Sequence, residues 1–169
     1  MCVTAPHLLL PCDTIDPVKI MMRIFCLSCA AYIALSGATA SGADALSAKR
    51  NVIAIMAGEL FVGEAEGHIN GAGTVEIHAQ RNPALTCSGQ FASTPKAGGF
   101  GHLECSNGTS ATFRFQRVTV LRGHGTGEYS RGPMSFTYGM PPEEASLYLT
   151  LPKGKLLIHS GSEVTLADK

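Results

Sequence analysis

Between residues 71 and 138 glycine recurs every second residue in short runs, and each run is answered downstream by aromatic residues at the same period. Three stretches share the plan: Gly71 to Phe91, Gly99 to Phe115 and Gly125 to Tyr138. Each opens Gly-x-Gly, runs as a strand, turns, and returns through aromatics. Alternation at period two marks antiparallel β structure, because successive side chains of a strand point to opposite faces. The first two openings lie 28 residues apart and the next two 26, as in a degenerate repeat of one hairpin.

A one-residue slip would move a strand's whole apolar set to the wrong face, so register can be tested from the sequence. In the second hairpin, a two-residue Asn107-Gly108 loop would set Leu103 opposite Thr112 and mix the faces. A three-residue Ser106-Asn107-Gly108 loop with Gly108 left-handed sets Leu103 opposite Ala111, Gly101 opposite Phe113 and Gly99 opposite Phe115. In the first hairpin, a five-residue loop over 80–84 sets Ala79 opposite Leu85, Ile77 opposite Cys87, Val75 opposite Gly89 and Gly73 opposite Phe91. In the third, an Arg131-Gly132 turn sets Tyr129 opposite Met134, Gly127 opposite Phe136 and Gly125 opposite Tyr138. Glycine thus faces a ring in every hairpin, leaving room for the ring and permitting strong curvature. Pairing the first two hairpins through the loop near Pro95 sets Phe91 opposite Gly101 and Cys87 opposite Cys105.

Strands are also expected over 51–56 and 59–66, with short terminal strands over 155–159 and 163–166 around a Ser160-Gly161-Ser162 turn. Pro141-Pro142-Glu143-Glu144 resembles a helix start, giving one short helix near 142–149. The expected fold is all-β: an antiparallel meander of about eight strands, closed as a small barrel or bent as a strongly curved sheet.

Upstream, Lys19 and Arg23 precede an apolar run over 24–35, and Ala38-Thr39-Ala40 supplies an Ala-x-Ala site. This is the pattern of a cleavable secretory signal over 21–43, cut after Ala40 or Ala43. The run of 12 residues falls short of the roughly 20 that span a bilayer, so no transmembrane anchor is expected after cleavage. Asp13, Asp16 and three prolines suit no signal n-region, so residues 1–20 read as an over-extended leader, with Met21 and Met22 as alternative starts to Met1. The domain is then 44–169, secreted or periplasmic. Of six cysteines it keeps Cys87 and Cys105, the pair that the register sets opposite each other, and a disulfide is expected.

Composition excludes several function classes. Thirteen Lys+Arg balance thirteen Asp+Glu without a basic run, so nothing points to nucleic acid. No Asp lies between Asp44 and Asp168, which removes the usual Asp-based metal and acid–base sites. No Gly-x-Ser-x-Gly elbow occurs, and His159-Ser160-Gly161-Ser162-Glu163 reads as turn chemistry rather than a triad. Gly123-His124-Gly125-Thr126-Gly127 follows no parallel strand and opens no helix, so it is no phosphate loop. Three Gly-His pairs supply His68, His102 and His124, with His78 and His159 besides, but none has His-x-His or His-x-x-x-His spacing. Arg114, Arg117, Arg122 and Arg131 cluster in sequence and read as a solvated face, with an anionic partner as the rival reading.

The segments Leu85–Phe91, Gly101–Gly108 and Phe113–Phe115, followed by Gly125-Thr126-Gly127 and Phe136–Gly139, resemble a family of small exported proteobacterial β-rich proteins; the likeness covers roughly residues 59 to 158. The hairpins also look faintly like MORN repeats, without that family's Tyr-x-Gly opening or its period. The resemblance contains no motif of known chemistry. The expected function is a non-catalytic binding or envelope-associated accessory protein with no cofactor. Its candidate ligand face is Phe91, Phe113, Phe115, Phe136 and Tyr138, suited to a small apolar ligand. The rival is a small periplasmic metal-handling protein using His68, His102 and His124. An enzyme comes third.

Overall fold

A computed structural model describes residues 46–94, 97–161 and 163–169. The expected leader, signal segment and cleavage sites lie outside the described residues. Eight strands follow one another round a closed antiparallel barrel: β1 (Ser47–Met56), β2 (Glu59–His68), β3 (Ala72–Ala79), β4 (Asn82–Thr94), β5 (Gly98–Cys105), β6 (Ser110–Thr119), β7 (Arg122–Tyr129) and β8 (Gly132–Tyr138). Seven ladders join neighbours in sequence. The eighth closes the ring, setting Val52–Met56 of β1 against Tyr138–Met134 of β8. Of the two expected architectures, the closed barrel is the one formed.

The register follows from the alternation. Leu103 faces Ala111, Gly101 faces Phe113 and Gly99 faces Phe115. Gly108 has φ +78°, its N–H donates to Cys105 O (2.9 Å), and Cys105 N–H donates to Thr109 O (2.8 Å), which makes the expected type I turn with a glycine bulge. Between the first two hairpins Phe91 faces Gly101 and Cys87 faces Cys105. These two cysteines are joined, with S–S 2.02 Å and Cα atoms 3.9 Å apart.

Two turns differ from expectation. In the third hairpin Tyr129 faces Gly132 instead of Met134, so Ser130-Arg131 is the turn and the ladder sets Gly127, Gly125 and Gly123 opposite Met134, Phe136 and Tyr138. Gly132 takes up the strand at once with φ +147°, and the Ser130 hydroxyl, donating to Ser110 O (3.0 Å) and accepting from Ser110 N–H (2.9 Å), ties the turn to β6. A two-residue shift keeps every side chain on its face, so alternation cannot detect it. In the first hairpin Gly73, Val75 and Ile77 face Phe91, Gly89 and Cys87 as expected, but Ala79 faces Asn82 across a bulge. Gln80-Arg81 forms the turn, and the extra residues after it begin with Pro83, which has no N–H to give the ladder.

The meander has the expected eight strands, and the expected terminal pair, β9 (Lys155–Ser160) and β10 (Glu163–Asp168), makes a separate two-stranded sheet. The helix α1 is shorter than expected, Pro142–Ala145. Beyond it the chain continues in turns: the Ser146 hydroxyl donates back to Glu143 O (2.7 Å) and Leu147 N–H donates to Glu144 O (3.1 Å).

These C-terminal elements create a second core outside the barrel. Ile53 and Ile55 of β1 and Leu60 of β2 point outward and are buried with Met140, Ala145 and Leu149, against Leu151, Leu157, Val164 and Leu166. β1 and β2 are therefore covered on both faces near the seam. Inside the barrel, one end is filled by Met56, Phe61, Ala79, Cys87 and Tyr129, all nearly or wholly buried. Phe61 and Tyr129 meet edge to face at 6.5 Å, and the Tyr129 hydroxyl shares a hydrogen bond with Thr109 Oγ1 (2.8 Å).

Candidate functional site

Opposite the plugged end, the barrel interior opens into a cavity of about 550 Å³. Its walls come from alternate, inward-pointing positions of the strands: Val52 (β1), Ala65 (β2), Val75 and Ile77 (β3), Phe91 (β4), Leu103 (β5), Phe113 and Phe115 (β6), and Met134, Phe136 and Tyr138 (β8). That volume lies within the range of about 300–1,000 Å³ common for small-ligand sites. The interior of an eight-stranded barrel is just wide enough to be filled by side chains or to hold one small ligand. This one is divided, filled at one end and hollow at the other.

All five expected ring residues, Phe91, Phe113, Phe115, Phe136 and Tyr138, line this cavity. They form a chain of edge contacts: Phe91–Phe115 at 5.6 Å, Phe115–Tyr138 at 5.8 Å and Phe113–Phe136 at 5.1 Å, with Phe113–Phe115 tilted at 6.5 Å. Each ring lies over a cross-strand glycine. A Cβ on Gly73 would come within 2.2 Å of Phe91 Cζ, on Gly101 within 2.5 Å of Phe113 Cζ, and on Gly99 within 2.8 Å of Phe115 Cζ. The same holds for Gly125 under Phe136 (2.6 Å) and Gly123 under Tyr138 (2.5 Å). The glycines therefore let the rings lie flat along the wall, and the axis of the barrel stays open.

Polar groups gather at the mouth. Arg117, two residues past Phe115 on β6, points inward and lines the cavity, whereas Arg114 is exposed on the outer face. Arg117 Nη2 donates to Ser93 Oγ (2.5 Å), which in turn donates to Gly71 O (3.0 Å). Arg122 instead pairs with Glu144, and Arg131 lies exposed in the turn at the plugged end. The four arginines expected on one solvated face are thus divided among different surroundings, and Arg117 turns inward because it shares the strand parity of Phe113 and Phe115. Arg50 of β1, also at the mouth, is half-buried and donates to Lys49 O. Burial raises the pKa of the Tyr138 phenol above its ordinary value, and the nearby Arg117 charge opposes that shift. Around this opening stand Leu46, Ile69, Val120 and Leu121, exposed by 64%, 81%, 76% and 40%.

The histidines do not converge. His102 is exposed on β5, His124 stacks on Tyr148 at 4.4 Å outside the barrel, His68 ends β2 at the cavity mouth, and His159 pairs with Glu143. Among the described residues no group of three His, Cys, Asp or Glu side chains could hold a metal ion. His159, Ser160 and Glu163 sit in the β9–β10 hairpin, where Glu163 faces Ser160 across the ladder. Gly123, Gly125 and Gly127 belong to β7 and face β8 and β6, and no helix follows them.

No family model, curated protein or solved structure matches the chain.

Proposed function

We propose that this chain is an exported, non-catalytic binding protein that takes the apolar part of a small molecule into the open end of its barrel. The observation that carries the reading is the cavity itself: about 550 Å³, walled by five rings and by Val75, Ile77 and Leu103. The glycines under the rings support it, because side chains at those positions would take up the same space. A plugged far end, closed by Phe61, Tyr129 and the Cys87–Cys105 bridge, supports a one-mouthed pocket over a channel. Export is supported by the signal pattern over 21–43 and by the two-cysteine bridge, which suits an oxidising compartment.

The test uses N-phenyl-1-naphthylamine, a neutral probe that fluoresces in apolar surroundings. The purified protein should give saturable fluorescence with one probe per chain. Ala65→Phe, which adds a ring from the β2 wall into the cavity, should weaken probe binding at least tenfold without lowering the unfolding temperature by more than a few degrees. A folded protein that takes up no probe, or an Ala65→Phe variant that binds as wild type does, would sink the reading.

A further inference from the structure

The lining of the cavity is unbalanced in charge. Among its described residues it carries Arg117, Arg50 and His68 but neither Asp nor Glu. Neither arginine takes part in an ion pair among the described residues. Glu66 lies on the outer face of β2, where Ser47 Oγ and Lys49 Nζ engage it; the Ser47 hydrogen bond holds its carboxyl below the ordinary range. Arg117 is half-buried and held by a neutral hydroxyl, so its charge is partly withdrawn from water without a counter-ion, a cost that an anion would offset. Arg50 and Arg117 stand on strands three places apart round the ring, so both flank one opening.

Charge at the mouth and rings within fit a molecule that is apolar at one end and anionic at the other. Resting on the cavity reading above, we propose that the ligand is a single-chain amphiphile with an anionic head. Its tail lies among Phe91, Phe113, Phe115 and Phe136, and its head is held at the mouth by Arg117 and Arg50. The volume argues for one chain, since a two-chain lipid needs roughly double the apolar space. The exposed Ile69, Val120 and Leu121 at the rim give the tail an apolar surface to cross on its way in.

Displacement of bound N-phenyl-1-naphthylamine by three twelve-carbon competitors, the ionic ones below their micelle concentrations and the alcohol below its solubility limit, tests this. Dodecanoate should compete on the order of tenfold better than dodecanol, as a charge-assisted hydrogen bond allows, and dodecyltrimethylammonium should compete worst. Arg117→Gln should bring the dodecanoate-to-dodecanol ratio close to one, Arg50→Gln should lower it in part, and Arg131→Gln at the far end should leave it unchanged. Raising the salt from 20 to 500 mM should also reduce the ratio, which keeps the test decisive should Arg117→Gln fail to fold. Equal competition by dodecanoate and dodecanol, or effective competition by the trimethylammonium, overturns the anionic head while leaving the apolar pocket intact. Displacement by monomeric dioctanoylphosphatidylglycerol as efficient as by dodecanoate overturns the single chain. Failure of the probe itself to bind overturns the pocket, and this proposal with it.

Discussion

Gly101→Ala is a one-methyl change that addresses the device on which the cavity depends. Gly101 lies on β5 with its missing side chain directed inward, opposite Phe113. An added Cβ would stand 2.5 Å from Phe113 Cζ, 2.9 Å from Phe113 Cε2 and 2.6 Å from the backbone oxygen of Gln90. Ordinary carbon contacts begin nearly an ångström further out, so both neighbours must give way. The Gln90 carbonyl is fixed in the β4–β5 ladder, and the Phe113 ring is held by Phe136 and Phe115 at 5.1 and 6.5 Å. Overpacking of this kind costs about 1–3 kcal/mol. Replacing glycine returns about 0.4–1 kcal/mol by restricting the unfolded chain. The net loss should be about 1–2 kcal/mol, measured by urea unfolding followed by far-UV circular dichroism. Removing the ring edge separates the two contacts. Gly101→Ala/Phe113→Leu should cost less than the sum of its single changes by at least about 0.5 kcal/mol, the lower end for residues in direct contact, while the carbonyl contact prevents full rescue. A Gly101→Ala variant within about 0.3 kcal/mol of wild type, or strictly additive single changes, would refute the claim that the ring occupies the glycine's space.

Two further outcomes follow from the same structure. The Cys87–Cys105 bridge closes a segment with a sequence separation of 18, and removing that constraint from the unfolded chain should cost about 3 kcal/mol. A Cys87→Ala/Cys105→Ala variant should therefore melt roughly 10–15 °C lower, and equal melting temperatures for the two proteins would show that the bridge does not form. Tyr138 has a raised pKa in the fold, so its contribution to stability is full below its unfolded value of 10.0 and is lost as pH rises through the folded value. Urea midpoints should fall above pH 10 by more in wild type than in Tyr138→Phe; parallel curves for the two would dismiss the phenol as the cause.

The hairpin pairings were legible because each strand has one face that must be apolar, and this leaves few registers. Cys87 opposite Cys105 follows from that constraint once Phe91 is placed on Gly101. The two-residue slip at Ser130-Arg131 was illegible for the same reason, since it breaks no face rule. The second core had a signal that alternation alone does not interpret. The run Val52-Ile53-Ala54-Ile55-Met56 is apolar without a break, as in a strand covered on both sides, and the cover is supplied by residues almost a hundred positions later. The cavity rings could be named from the sequence because each was tied to a glycine across a ladder. Arg117 could have been placed as well, as it shares the parity of Phe113 and Phe115, but its closeness in sequence to Arg114 and Arg122 suggested a single exposed group. Whether those rings would fill the barrel or only line it depends on how far each lies along its wall, which no periodicity encodes.

The closing seam gives the barrel a weakest point. Each of the other ladders can form as soon as its hairpin is made, whereas the contact between β1 and β8 brings together residues some eighty positions apart through only five pairs. A ring assembled this way should zip up strand by strand and shut last, so its amides should exchange earliest along Val52–Met56 and Met134–Tyr138 if nothing else holds them. The C-terminal segment crosses that line on the outside: Gly139 N–H donates to Asn51 O (2.9 Å), the Asn51 amide to Met140 O (3.1 Å), and Met140 packs against the outward side of β1. The last thirty residues thus act as a latch, and how firmly the ring stays shut depends on the part of the chain made after it.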